Sequence, residues 1–141
     1  MKGRSAQFAA RRPGTARARG CLVARILVVD DDRQFRRAVR VVLTVHGHAV
    51  TEAANGSEAL EQLKTAPQDL VLLDWQMPVT GGAETCVAMK AFSQTPVIVL
   101  SARDRSREAR AFGLSGSLTK PVDTDTLLDC IDMALRGGEA T

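Results

Sequence analysis

Four places in this chain put a chemically competent residue directly after a short apolar run. Asp30-Asp31-Asp32 follows Ile26-Leu27-Val28-Val29, and Asp74 ends the run Asp69-Leu70-Val71-Leu72-Leu73. Ser101 follows Val97-Ile98-Val99-Leu100, and Lys120 follows Leu118-Thr119. Near-continuous apolar runs are the pattern of strands buried on both faces. Open parallel sheets bind their ligands just beyond the C-terminal ends of such strands. One sheet edge can therefore gather several acids, a hydroxyl and an ammonium. Clustered carboxylates repel one another, so such an edge favours a cation.

The elements that must position these residues alternate. A strand is expected at about 25–30, followed by a helix carrying Phe35, Ala38, Val39, Val42 and Leu43 at helical spacing. Gly47 closes that region, and Ala49-Val50-Thr51 reads as a short strand. Asn55 with Glu58 resembles a capping box opening a helix through Ala59, Leu60 and Leu63. A strand at 69–74 leads through the Pro78, Gly81, Gly82 loop to a helix near 83–92. A strand at 96–100, a weak helix near 104–112 and a strand at 116–119 follow. Asp123 caps a last helix bearing Leu127, Leu128, Ile131 and Leu135. Five β-α units imply an α/β fold, a parallel sheet with helices on both faces. Few residues follow Leu135, which predicts a chain without an effector domain.

A length of 141 residues fits one domain with a sizeable core. No apolar run approaches the roughly 20 residues of a membrane span. Cys21, Cys86 and Cys130 form an odd, scattered set without metal spacing. They argue against a disulfide framework and fit a reducing, cytoplasmic setting. Cys86 and Cys130 are expected to be small buried side chains on helices. The net charge of +3 is misleading: six of the 19 basic residues precede Arg25, and none of the 16 acids does. Residues 1–24 read as a disordered basic tail on a mildly acidic domain. That tail is a solvated extension, an arm for nucleic acid or another anionic surface, or a targeting peptide; elsewhere nucleic-acid binding is not expected. It lacks the apolar stretch of a secretory signal. His46 and His48 flank Gly47 and, without a third ligand, are expected to face solvent.

The runs ending in Asp30-Asp31, in Asp74 with Met77-Pro78, in Ser101-Ala102 and in Lys120-Pro121 together resemble response-regulator receiver domains, of the single-domain CheY-like type. The match covers about 25–136, which places a receiver domain at 25–137 with a short tail at 138–141. The resemblance implies a doubly wound, five-stranded, flavodoxin-like (βα)5 sheet of order 2-1-3-4-5. It implies that Asp74 is the phospho-acceptor, a nucleophile towards a phosphohistidine on a sensor histidine kinase or histidine phosphotransfer protein. Asp31, Asp74 and the Gln76 backbone carbonyl would bind Mg2+, a hard cation, with Asp30 acting largely through water. Ser101 would bond a phosphoryl oxygen, and Lys120 would pair first with the acceptor carboxylate and then with the phosphate. The Lys120–Pro121 bond would be cis. Asp32 reads instead as a helix N-terminal acid.

Two departures bear on signalling. The family places Tyr or Phe three residues before the lysine, where this chain has Ser117. The stretch from Ser101 to Gly113 is about one helical turn short, which predicts a short or irregular fourth helix. Output is therefore expected from another surface, such as the first helix, or from loop ordering. Gln76 and Arg103 occupy positions that tune dephosphorylation in the family. Three functions follow. One is a stand-alone phosphorelay regulator acting on a downstream protein, with only self-phosphorylation and slow autodephosphorylation as chemistry. Another is a pseudo-receiver, a phosphorylation-independent interaction module. The last is a phosphotransferase or phosphatase with an aspartyl intermediate, which no cap domain or substrate pocket supports.

Overall fold

The computed structural model describes residues 16–18, 21–77 and 81–137, so Pro78 and the C-terminal tail at 138–141 lie outside the described residues. The first two strands are β1 (Ala16–Ala18) and β2 (Cys21–Val23), paired antiparallel with Ala18 opposite Cys21. Next come β3 (Arg25–Val29), α1 (Arg33–Val45), β4 (Ala49–Ala53) and α2 (Gly56–Thr65). They are followed by β5 (Leu70–Asp74), α3 (Gly82–Lys90) and β6 (Val97–Ser101). The chain closes with α4 (Ser106–Ala111), β7 (Gly116–Thr119) and α5 (Thr124–Leu135).

The main sheet has the order β4-β3-β5-β6-β7, all parallel. Counting its own strands in sequence, that is the expected 2-1-3-4-5. Every residue of β5 and β6 is buried, as the unbroken apolar runs predicted. Strand alternation sorts their side chains into two cores. Ile26, Val28, Leu70, Leu72, Ile98 and Leu100 pack on one face with Val39 and Leu43 of α1 and with Leu127 and Ile131 of α5. Leu27, Val29, Val71, Leu73, Val97 and Val99 pack on the other with Ala59, Cys86, Met89 and Ala109 of α2, α3 and α4. Cys86 and Cys130 are buried, as anticipated.

The helix starts follow the capping chemistry legible in the chain. Asp32 accepts from the N–H groups of Gln34 and Phe35, Asn55 from Glu58 and Asp123 from Thr126. The Glu58 carboxylate accepts the N–H of Ala54 rather than that of Asn55. The fourth helix is short, six residues; the side chain of its N-cap residue Arg105 makes no bond to the helix backbone, and Asp104 Oδ1 accepts the Ser106 N–H instead.

Two expectations are corrected. The tail expected to be disordered at 1–24 carries, among its described residues, the paired strands β1 and β2, and its apolar end Cys21-Leu22-Val23-Ala24 is separated from the apolar run of β3 only by Arg25. Averaging composition over the whole basic stretch conceals this apolar end. Ala24 is buried, and the Val23 side chain lies against Gly47. His48, expected to face solvent, is also buried. Gly47, at φ +92°, lets α1 end in a Schellman motif. The N–H of Gly47 donates to the Thr44 carbonyl, and that of His48 to the Leu43 carbonyl. The turn carries His48 inward, where its Nδ1 accepts the Ala24 N–H at 3.0 Å. His46 stays exposed, its Nδ1 3.0 Å from the Val42 carbonyl oxygen.

Candidate functional site

The sheet topology brings the four strand ends together. Parallel register sets Asp74 opposite Leu100 and Ser101 opposite Thr119. The Trp75 N–H donates to the Leu100 carbonyl and the Lys120 N–H to the Ser101 carbonyl, so both ladders continue past the strands into the site. Carboxylate oxygens of Asp30, Asp31 and Asp74 lie within 4.8 Å of one another. Asp30 and Asp74 are buried and Asp31 is exposed.

Alternation also decides which side chains meet. Asp30 and Asp74 continue the series of Val28 and Leu72, and Lys120 that of Leu118, towards the α1/α5 core. Ser101 continues the series of Val97 and Val99, towards α4. The Lys120 ammonium lies 2.7 Å from Asp30 Oδ2 but 3.7 Å from Asp74 Oδ1. The lysine therefore pairs with Asp74, as the resemblance implies, and lies nearer still to Asp30. Asp30 is fully buried and needs a countercharge. Lys120 Nζ also sits 4.2 Å from the centre of the Phe35 ring, which fixes it from the α1 side. The Lys120–Pro121 peptide bond is cis.

Asp30 is held from all sides. Its Oδ1 accepts the Asp32 N–H, its N–H donates to the Ala53 carbonyl, and its carbonyl accepts from Arg36 Nη1 at 2.7 Å. Arg36 is itself paired with Glu52 at 3.0 Å, and Arg40 holds the other Glu52 oxygen at 2.9 Å. These two arginines draw the Glu52 carboxyl below its usual range. Asp74, in contrast, has a single direct hydrogen bond, from the Gln76 N–H at 3.3 Å. Burial first, then the neighbouring Asp30, raises its carboxyl from 3.8 to about 6, against the pull of Lys120 and the Gln76 N–H. The least satisfied acid of the cluster is thus Asp74, and charge brought to it relieves the most strain. An all-oxygen set of three carboxylates with one ammonium has the hardness that suits Mg2+.

Ser101 Oγ accepts twice, from the Arg103 N–H at 3.2 Å and from Arg105 Nε at 3.3 Å. Arg105 continues to Glu108, with Nη1 3.2 Å from Oε2. Sequence reasoning missed Arg105, Arg36 and Glu52. For Arg105 the available signal was its spacing, four residues beyond Ser101 at the start of a helix. Ser117, half-buried, is register partner to Val99 and shares its face, with no ring to fill that volume. The rings on that face are Trp75 and Phe112, packed edge-on with centroids 5.6 Å apart. Gly82 lies directly on Trp75: a Cβ there would stand 2.6 Å from the Trp75 Cα.

The sequence model of the response regulator receiver domain matches residues 26–132. KdpE of Mycobacterium tuberculosis, a transcriptional regulatory protein, is 37% identical over 118 residues, 82% of this chain and 52% of KdpE. Protein PilH of Pseudomonas aeruginosa is 33% identical over 121 residues, 82% of this chain and 100% of PilH. The chain thus spans about half the length of its transcriptional relatives and the whole of PilH. Among solved structures, the Vibrio cholerae chemotaxis protein CheY4 superposes with a TM-score of 0.72 at 34% identity, covering 77% of this chain and 96% of CheY4. The family match, the strand order and the acidic strand ends agree: this chain belongs to the response regulator receiver domains of two-component signalling.

Proposed function

We propose that Asp74 is the phospho-acceptor of a stand-alone regulator, loaded by a sensor histidine kinase or a histidine phosphotransfer protein. The observation that carries this reading is the asymmetry of the acidic cluster. Asp30 is saturated with partners, whereas Asp74 is buried, nearly unbonded and held at about 6. A carboxylate oxygen of Asp74 attacks phosphorus of the phosphohistidine. The O–P bond forms as the P–N bond breaks, and the imidazole leaves with the electron pair. The product is an acyl phosphate on Asp74.

Mg2+ would be held by Asp31, Asp74 and the Gln76 carbonyl, and when bound it supplies neutralisation of the transferring phosphoryl charge. Both Asp30 oxygens already have protein partners, which supports its acting through water. The Ser101 hydroxyl keeps its proton for a phosphoryl oxygen, because its bonds from the Arg103 N–H and Arg105 Nε use its lone pairs. Lys120, close to Asp30 and within 3.7 Å of Asp74, moves its charge a short distance to meet the phosphate. Signalling then proceeds by contact with a downstream protein. A cytoplasmic site of action agrees with this chemistry, and among the described residues no helix is long and apolar enough to cross a membrane.

Trp75 adjoins Asp74 and is the sole tryptophan. Titrating the full chain with MgCl2 and then with acetyl phosphate should change its fluorescence. Acid-labile phosphate should accumulate in the native chain and not in Asp74→Asn; labelling that persists in the variant overturns the assignment. Ser117 and the six-residue α4 favour a second reading, a pseudo-receiver that binds partners without phosphorylation. A folded sample that responds to neither MgCl2 nor acetyl phosphate would establish that reading instead.

A further inference from the structure

We propose that Arg105 is the phosphoryl-sensing residue of this domain: on phosphorylation of Asp74 its guanidinium leaves Glu108 for the phosphoryl oxygens and moves the start of α4. This rests on the reading of Asp74 as acceptor. The usual reporting ring is replaced by Ser117, so the site needs another side chain that both touches it and belongs to an output element. Among the described residues, Arg105 meets both conditions. Its Nε already donates to Ser101 Oγ, the hydroxyl that would hold the phosphoryl group. Its backbone is the N-cap of α4, so a shift of the side chain acts directly on that helix.

The arrangement is poised in one direction. Arg105 is largely covered, with its side chain 18% exposed, while Glu108 is 35% exposed. A pair so open to water is weak. A phosphoryl group carries nearly twice the charge of Glu108, offers three strong acceptors and lies deeper in the sheet edge. Its attraction for a planar, multi-donor guanidinium therefore exceeds that of the carboxylate. Once a phosphoryl oxygen accepts a hydrogen bond from the Ser101 hydroxyl, it lies one hydrogen bond from an atom that Arg105 already touches. The guanidinium need only rotate to bond it, and Glu108 is released. The Arg105 side chain makes no bond to the α4 backbone, so its contact into the helix, Glu108, is the one the phosphoryl group displaces, while Asp104 Oδ1 keeps the Ser106 N–H bonded. Ser117, small where a ring usually stands, leaves room on the same face.

The test uses the full chain labelled with 15N, with MgCl2 and acetyl phosphate as the probe. Two variants are compared with the native chain, Arg105→Gln and Glu108→Gln. Acid-labile phosphate and amide spectra are read on the same samples. In the native chain phosphorylation should shift the amides of residues 105–111 and the Arg105 Nε–H resonance. Arg105→Gln should still be labelled on Asp74 and lose the 105–111 shifts. Glu108→Gln should show part of those shifts before any donor is added and take up label as the native chain does. Labelled Arg105→Gln with native α4 shifts overturns the proposal, as does a Glu108→Gln spectrum unchanged at Arg105. No label in any variant overturns the acceptor reading, and with it this one.

Discussion

Replacing Asp74 with Asn should make the domain more stable, and the gain should depend on pH in a defined way. The raised carboxyl binds more protons in the folded than in the unfolded chain between 3.8 and about 6. Its neutral form therefore contributes stability that is fully present below 3.8 and lost once the pH has risen through about 6. The difference between those two values corresponds to about 3 kcal/mol of unfavourable interaction in the ionised state. Asn is close in shape to the protonated acid and can keep the Gln76 N–H contact. Lys120 keeps its nearer partner, Asp30, so no charge is orphaned by the exchange. Integrating the linkage gives a gain of about 3 kcal/mol near pH 8, falling to about 1 kcal/mol near pH 4.5. For a domain of this size the larger figure raises Tm by roughly 6–10 °C. The assay is urea or thermal unfolding of both proteins across that range, without and with MgCl2. Metal at about 100 times its dissociation constant should stabilise the native chain by about 2.7 kcal/mol and close most of the gap. A gain of equal size at both pH values would falsify the ionisation argument, and so would a less stable variant at pH 8.

Three further outcomes follow from the same structure. Lys120→Met leaves the fully buried Asp30 without its ion partner and should cost about 3 kcal/mol in urea unfolding. Adding Asp30→Asn should recover most of that loss, and a double variant as unstable as the single one would count against the pairing. His48 is held below 6.5, by burial first, and its Nδ1 must be unprotonated to accept the Ala24 N–H. The stability it contributes is full above 6.5 and lost as the pH falls below that value. In an Asp74→Asn background, which removes the opposing titration, unfolding from about pH 8 to 5 should show this loss, and His48→Phe should lack it. Gly82→Ala puts a methyl 2.6 Å from the Trp75 Cα and 2.8 Å from its carbonyl oxygen. It should destabilise by about 1–3 kcal/mol and shift the Trp75 emission, and an unchanged spectrum would show that the loop yields freely.

The strands and the chemistry at their ends were legible because burial on both faces writes itself as an unbroken apolar run. Asp32, Asn55 and Asp123 were legible as caps because capping is local chemistry. What was not legible depends on which face of the sheet a side chain takes. Strand alternation sets Lys120 on the α1/α5 side with both Asp30 and Asp74, and only the folded geometry brings it nearer to the fully buried Asp30. His48 reads as a turn residue until the left-handed Gly47 directs it inward. Arg105 lies in a segment with little apolar pattern, and its link to Ser101 exists only because α4 begins so soon after β6. The missing ring at Ser117 turned expectation towards the first helix, whereas Arg105 and Glu108 offer a route through α4 itself.

Strand alternation has one more consequence. Asp30, Asp74 and Lys120 hang from one side of the sheet and Ser101 with Arg105 from the other, so the site as a whole lies astride a wall between two compartments. On the proposed reading, capture falls to one compartment and its report, through Arg105, to the other. That reading makes the two vocabularies separately editable: residues 104–117 would be open to rewriting for a different listener while the acids and the lysine keep the grammar of capture.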